Sequence, residues 1–493
     1  MRDLGMMIGG APAPAADGGT FDSVDPFTGQ QWARIARGTA ADVDAAVRNA
    51  DAAFRSAPWS GLTASARGQL LTRLADLALD RLDELVEVES RDNGKSRREL
   101  RTALRTMAGW YRYYGGLADK VLGEVIPVDR PGSLNYTVPE PYGVVAAILP
   151  WNSPLRLAAW KIAPALAAGN AVVVKPSEHA SASNLEFNQL FQAAGFPPGI
   201  VNVVTGFGPE VVPPLIAHPM VRKISFTGGV TAGRLVAELA ARQLKPCTLE
   251  LGGKSPQIVF ADADLDRAAD GIAAGVFASG GQTCLAGSRL LVDSSVHDEM
   301  LARVVDRARQ VRLGDPSDPQ TDVGPVATAA QHSAIGGHIE RARSSGATLV
   351  FGDGDGDGDG DGGRDGGRNG RNGDGRFIGP AVFDQVPSDS ELFQEEVFGP
   401  VLSVTSFQTE NEAVELANAV PFGLAAGVWT RDIARAHRVA HRVQAGTVWI
   451  NTYRNTVPQS PFGGYKASGI GRESGFAGIR EFLQVKSVWV DLA

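Results

Sequence analysis

Cysteine is nearly absent from this chain, with two among 493 residues. That excludes a disulfide framework and points to a reducing compartment, the cytoplasm. Long apolar runs are missing too. No stretch of 18 apolar residues occurs, so no membrane partner is expected. The Gly/Ala/Pro-rich start, Met1 to Gly19, holds no signal-peptide core and reads as a loose tail. Positive charge is in deficit, since 47 Lys and Arg against 55 Asp and Glu leave a net −8. That argues against nucleic acid or an anionic membrane as the main partner. What is there is an ordinary globular composition, 43% hydrophobic and 21% charged. The length suits roughly two to four domains.

From Tyr142 the pattern turns regular. Short apolar strands at Val144–Leu149, Ala171–Val174, Ile200–Val204, Lys223–Phe226 and Thr248–Leu251 alternate with helical stretches. That alternation predicts a parallel sheet covered on both faces, with ligands beyond the carboxyl ends of the strands. The residues just after the strands are therefore the ones to inspect. They are Pro150-Trp151-Asn152, Lys175-Pro176-Ser177-Glu178, Thr227-Gly228-Gly229 and Glu250-Leu251-Gly252-Gly253-Lys254. The glycine loop opens a helix and suits a pyrophosphate, although it is not the GxGxxG fingerprint.

Upstream, helices are expected over Thr39–Phe54, Ala64–Ser90 and Ser96–Leu117, and an extended ribbon over Gly123–Pro141. A second α/β unit begins near Pro256. It carries Cys284 in a loop of small residues, Phe277 to Arg289, open to a small molecule. Glu396 and Phe398 are expected on one face of a strand, two residues apart. The tract 352–375 is almost all Gly, Asp, Arg and Asn and reads as a disordered loop, with no apolar repeat to build a calcium coil. His437 and His441 are spaced like a metal pair but lack a third ligand, so no metal site is expected. The tail, Gln484 to Val490, is strand-like and suited to pair with the ribbon of the same or another subunit.

Seven motifs stand in one order: Pro150-Trp151-Asn152, Lys175 to Glu178, Phe226-Thr227-Gly228, Leu249 to Lys254, Gly281-Gln282-Thr283-Cys284, Glu395 to Pro400 and Pro461 to Lys466. In order and spacing the chain resembles the NAD(P)-dependent aldehyde dehydrogenase superfamily from about Val24 onward. The resemblance implies an α/β fold with a modified Rossmann cofactor domain (1–122 and 142–255). It also implies a catalytic α/β domain (256–474) and an oligomerisation β-ribbon (123–141 and 475–493). A homodimer or homotetramer that oxidises a small-molecule aldehyde to its acid follows from it.

The same resemblance assigns roles. Cys284 is the nucleophile, Asn152 an oxyanion donor and Glu250 the general base. Trp151, Lys175, Thr227, Gly228, Gly229, Gly233 and Leu251 contact the cofactor. Glu178 meets the adenosine ribose hydroxyls, and Glu396 with Phe398 the nicotinamide ribose. A carboxylate at 178 repels a 2′-phosphate, so NAD is favoured over NADP. Gly229 departs from the serine common there. Lys161 and Glu473 match a proton relay or else form a structural ion pair. The substrate tunnel is assigned to Ser153, Arg156, Trp160, Thr283, Leu285, Arg454, Thr456 and Phe462, whose two arginines suit a carboxylate-bearing semialdehyde. An enzyme that passes the acyl group to CoA instead of water is the alternative, and Glu250 argues against it.

Overall fold

Near-continuous apolar runs make strands buried on both faces. In the computed structural model, which describes residues 1–352 and 376–492, Val144–Ile148 and Ala171–Lys175 are buried at every position. They sit in the middle of an eight-stranded sheet. Its order is Gly469–Ile470, Cys247–Glu250, Val221–Thr227, Val144–Ile148, Ala171–Lys175, Val201–Val203, Met6–Ile8, Ala11–Ala13. The middle strands are parallel, and both flanks are antiparallel. Chain order reverses between Val144–Ile148 and Val221–Thr227. Such a reversal leaves a crevice beyond the strands' carboxyl ends. Trp151-Asn152 and Gly228-Gly229 leave the sheet at that point.

The N-terminus is not a loose tail. Met6–Ile8 and Ala11–Ala13 form a hairpin whose two-residue turn, Gly9-Gly10, has φ of +65° and +82°. Only glycine adopts two such values cheaply, and the turn matches the twist of its strands. Met6 and Met7 are buried and tie the hairpin into the core. The Gly-Gly pair between apolar residues was the available signal, hidden by the alanine and proline around it.

A second, seven-stranded sheet begins at Pro256. Its order is Thr348–Phe351, Ala381–Asp384, Val401–Phe407, Arg289–Asp293, Pro256–Val259, Ala425–Trp429, Thr447–Ile450. Only its first pair is antiparallel. Separate apolar clusters pack its two faces. The two-residue strand Gly469–Ile470, assigned by sequence to this unit, edges the first sheet instead. A Cβ on Gly469 would strike the Leu249 carbonyl, so the missing side chain permits the close approach.

The ribbon is a third sheet. Ser133–Pro141 pairs antiparallel with Leu483–Asp491 of the same chain at nine successive positions, and Val125–Ile126 adds a short edge. Val485 and Trp489 are exposed on it. The helical run expected over 64–90 breaks at Arg81 into Ala64–Asp80 and Leu82–Asn93. No described helix is long and apolar enough to cross a membrane. The Gly/Asp tract, apart from Gly352, lies outside the described residues.

Candidate active site

A cavity of about 830 Å³ opens at the carboxyl ends of the first sheet's strands. Cys284, Asn152 and Glu250 line it although they come from three distant chain segments. So do Trp151, Lys175, Glu178, Thr227, Gly228, Gly229, Leu251, Glu396 and Phe398. Gly233 does not line it. It lies one turn into the helix Val230–Arg242, against Leu251, where a Cβ would overlap the leucine side chain. Its part is to let that helix close on the strand end.

Cys284 follows Ser279, Gly280 and Gly281, all with φ near +60° (59°, 58° and 68°). This left-handed stretch swings the loop away from the helix Leu265–Val276 and presents the thiol to the cavity. At Gly281 a Cβ would meet the Gly399 backbone. Burial pushes the thiol up to about 12, helped by the carboxylates of Glu396 and Glu250. The free sulfur is therefore a thiol at neutral pH and needs a base to react. The Asn152 side-chain amide donates to the Gln282 carbonyl at 3.0 Å, tying the oxyanion candidate to the nucleophile loop.

Glu250 ends its strand with both carboxylate oxygens buried and unpartnered. Burial holds its pKa well above the ordinary value, and the Glu473 charge adds to the rise, while Lys161 and Arg472 pull the other way. Lys161 and Glu473 form a buried ion pair, and Lys161 also donates to Ser225 Oγ at 3.2 Å. Glu473 is pinned through its backbone to Phe462, each N–H donating to the other's carbonyl.

At the far end of the cavity Lys175 Nζ stands 2.9 Å from Glu178. Burial lowers the lysine, partly offset by Glu178. Burial opposes charge on Glu178, yet Lys175, the residue's own backbone N–H and His179 together outweigh it and the net pKa is lowered. Between the two ends lies Glu396, which accepts from the Gly253 N–H at 3.0 Å and is pushed up to about 7 by burial. Glycine at 252 is required, because a Cβ would occupy the space of the Glu396 carboxylate. The Phe398 ring meets Trp151 edge-on at 5.4 Å.

Glu396 and Phe398 do not share a strand face as expected. They lie in a loop after the short helix Glu391–Gln394, with Phe398 at φ +53°. Gln331, which sequence reasoning missed, holds that loop by donating to the Val397 and Phe398 carbonyls at 3.0 and 3.1 Å, and it lines the cavity. Its only sequence signal was a helical face shared with Ala334 and His338, which line the cavity too.

The tunnel residues gather elsewhere. Trp160 stacks on Trp110 at 5.3 Å and meets Phe462 at 5.2 Å. The Arg156 guanidinium lies over both indoles, 5.4 Å from Trp110 and 5.9 Å from Trp160. It donates to Thr456 Oγ1 at 2.6 Å, while its Nε is buried without a partner. Among the described residues it has no carboxylate partner. Burial, with Arg454 nearby, brings its pKa down to about 10. Trp110 was missed because it belongs to no motif. A second cavity of about 600 Å³, lined by Arg105, Trp110, Tyr113 and Thr456, borders this cluster. Arg454 instead donates to the Ala274 carbonyl at 2.8 Å. Thr283 and Leu285 flank Cys284, both half-buried, and neither lines the larger cavity.

A family profile described as the aldehyde dehydrogenase family matches residues 14–488. A curated relative from Acinetobacter baylyi, (Z)-2-((N-methylformamido)methylene)-5-hydroxybutyrolactone dehydrogenase, is 46% identical over 474 residues, 96% of this chain and 94% of its own. Among solved structures, an NAD-dependent aldehyde dehydrogenase from Sinorhizobium meliloti is 39% identical with a TM-score of 0.94, covering 100% of this chain and 95% of that one. An NAD⁺ complex of an aldehyde dehydrogenase from Bacillus cereus is 39% identical with a TM-score of 0.94, covering 100% of this chain and 97% of that one.

Proposed function

This chain belongs to the aldehyde dehydrogenase family, and from that premise we propose that it oxidises an aldehyde to a carboxylic acid with NAD, through a covalent intermediate on Cys284. One observation carries the reading. A thiol, an amide and an unpartnered carboxyl from distant segments line the same cavity as the Lys175–Glu178 pair.

The residues present fit the cofactor. Gly228 and Gly229 open the helix Val230–Arg242, where backbone N–H groups suit a pyrophosphate. Glu178 and Glu396 present carboxylates for ribose hydroxyls, and Glu178 disfavours a 2′-phosphate. Bound NAD supplies the acceptor for the hydride that the thiohemiacetal gives up.

Everything else falls to the chain. Glu250, made more basic by burial and by Glu473, takes the Cys284 proton. The thiolate attacks the aldehyde carbon, and Asn152 Nδ2 with the Cys284 backbone N–H steadies the oxyanion. Glu250 first sheds the Cys284 proton; once the thioester exists it takes a proton from water, the hydroxide oxygen adds to the acyl carbon, and the C–S bond breaks to release the acid and the Cys284 thiolate. Lys161 and Glu473 are the exit for that proton. A water-activating carboxylate beside the thioester favours hydrolysis over transfer to CoA.

The aldehyde carries a carboxylate, and Arg156 receives it. A guanidinium with a buried, unsatisfied N–H, no salt bridge and only the charge of Glu99 nearby to balance it suits an arriving anion. A 5-hydroxybutyrolactone, the compound class in the Acinetobacter relative's name, opens to a chain with a carboxylate at one end and an aldehyde at the other. The exposed Val485 and Trp489 on the ribbon are the surface for subunit contact.

The test is NADH formation with succinic semialdehyde and with butanal, in the parent protein, Cys284→Ala and Arg156→Leu. Cys284→Ala loses both activities. Arg156→Leu lowers kcat/KM for the semialdehyde about 10- to 100-fold while butanal changes little. Activity surviving in Cys284→Ala refutes the covalent route, and an unchanged preference in Arg156→Leu refutes the carboxylate seat.

A further inference from the structure

Neither the nucleophile loop nor the oxyanion loop is a regular element, so something outside them must hold their separation. The loop before Cys284 is strained at Ser279, a buried residue other than glycine with φ of +59°. Such a conformation persists only when its surroundings impose it. The Ser279 hydroxyl donates to Glu99, on the helix Arg97–Leu117. Glu99 in turn lies 3.5 Å from the ammonium of Lys95, which is 6% exposed. The same ammonium donates to Ser153 Oγ at 3.4 Å.

Ser153 is the neighbour of Asn152 and stands at the start of the helix Pro154–Ala167, yet its hydroxyl makes no cap. The hydroxyl faces Lys95 instead. The pair thus reaches one loop with each hand. The Glu99 carboxyl is also held below its ordinary range: burial opposes the charge, but Lys95, the Ser279 hydroxyl and Arg454 together outweigh it. Nothing in the reaction uses Glu99 or Lys95 directly, and neither lines the cavity.

We propose that Glu99 and Lys95 are positioning residues that fix the distance between the Cys284 thiolate and the Asn152 oxyanion donor, Glu99 through Ser279 and Lys95 through Ser153. The proposal rests on the roles given above to Cys284 and Asn152. No bond is made or broken at either residue. Their effect is on the fraction of time the two groups meet a single carbonyl in reactive geometry, and a displacement of about 1 Å there costs on the order of 100-fold in rate.

The experiment compares Glu99→Ala, Glu99→Gln, Ser279→Gly and the double variant Glu99→Ala/Ser279→Gly in the full-length protein. Glycine at 279 keeps the left-handed backbone while removing the hydroxyl. Glu99→Ala and Ser279→Gly are each expected to lower kcat about 10- to 100-fold, with KM for NAD within about twofold of the parent. The double variant is expected to be no worse than either single one, the sign of two residues acting as one unit. Glu99→Gln, which still accepts from Ser279, recovers part of kcat. Iodoacetamide labelling of Cys284 follows the same order, since it reports the loop directly.

A wild-type kcat in Ser279→Gly, additive losses in the double variant, or a rise in KM for NAD matching the fall in kcat would each overturn the proposal. Should Glu99→Ala not fold, Ser279→Gly with the labelling rate decides it alone. Cys284→Ala separates the two levels. If that variant is inactive while Ser279→Gly is fully active, only the clamp falls; if it is active, the chemical reading falls first.

Discussion

The two ends of one cavity treat their carboxyl groups in opposite ways. At the cofactor end Glu178 has Lys175 within 2.9 Å, and its pKa is lowered in spite of burial. At the chemical end Glu250 has no hydrogen-bond partner, and its pKa is raised well above the ordinary value. The difference lies in company and in depth together, since Glu178 is partly exposed and Glu250 is buried. At the far end the Lys175–Glu178 pair is made before anything binds, which suits the recognition proposed for it. The near end leaves a buried carboxyl without a partner beside a thiol, which suits the reaction proposed for it.

Breaking the reactive end has the largest effect. Glu250→Gln removes the base but keeps the shape, and kcat is expected to fall roughly 10²- to 10⁴-fold. Acyl-enzyme should build up on Cys284 if deacylation is the step that suffers most, and mass spectrometry of the quenched protein reads this. Breaking the recognition end is milder. Glu178→Ala raises KM for NAD about tenfold, the worth of a charge-assisted hydrogen bond, with kcat little changed. Steady-state kinetics with NAD varied distinguishes that split from a loss of chemistry.

Smaller still is a change that makes the two ends more alike. Glu473 raises Glu250 by like charge and offsets the opposite pull of Lys161. Removing its charge in Glu473→Gln lowers the Glu250 pKa, because the repulsion goes and the Lys161 ammonium is left without its partner. Glu250 acts as a base when ionised, so the acid limb of kcat/KM is expected to move to lower pH. A pH profile whose acid limb stays put would detach Glu473 from Glu250.

The strand ends that carry Asn152, Lys175, Glu178 and Glu250 were legible in the sequence, because each follows a clear apolar run, while the roles at both ends came through resemblance. Lys175 ends a strand and Glu178 lies three residues on, so their pairing needs no distant partner. What no spacing encodes is the convergence of Asn152 and Glu250 with Cys284, which tertiary closure brings about. Gln331 and Trp110 escaped notice for the same reason, as each faces the site from a helix that looks ordinary in isolation. The Glu396–Phe398 stretch was misread because a two-residue alternation is shared by strands and by loops with one left-handed residue. At the N-terminus, small residues suggested a tail, while two buried methionines and a Gly-Gly turn made a hairpin.

The ladder of Leu483–Asp491 on Ser133–Pro141 joins two strands some 350 residues apart in the chain, as the Asn135–Ser487 hydrogen bond spans 352 positions. Glu473 and its partner Lys161 are 312 apart. In chain order Lys175 and Glu178 are made well before Glu473 and the closing strand. A chain halted before that strand would carry an open edge along Ser133–Pro141, the kind of edge that pairs with other chains and draws chaperones.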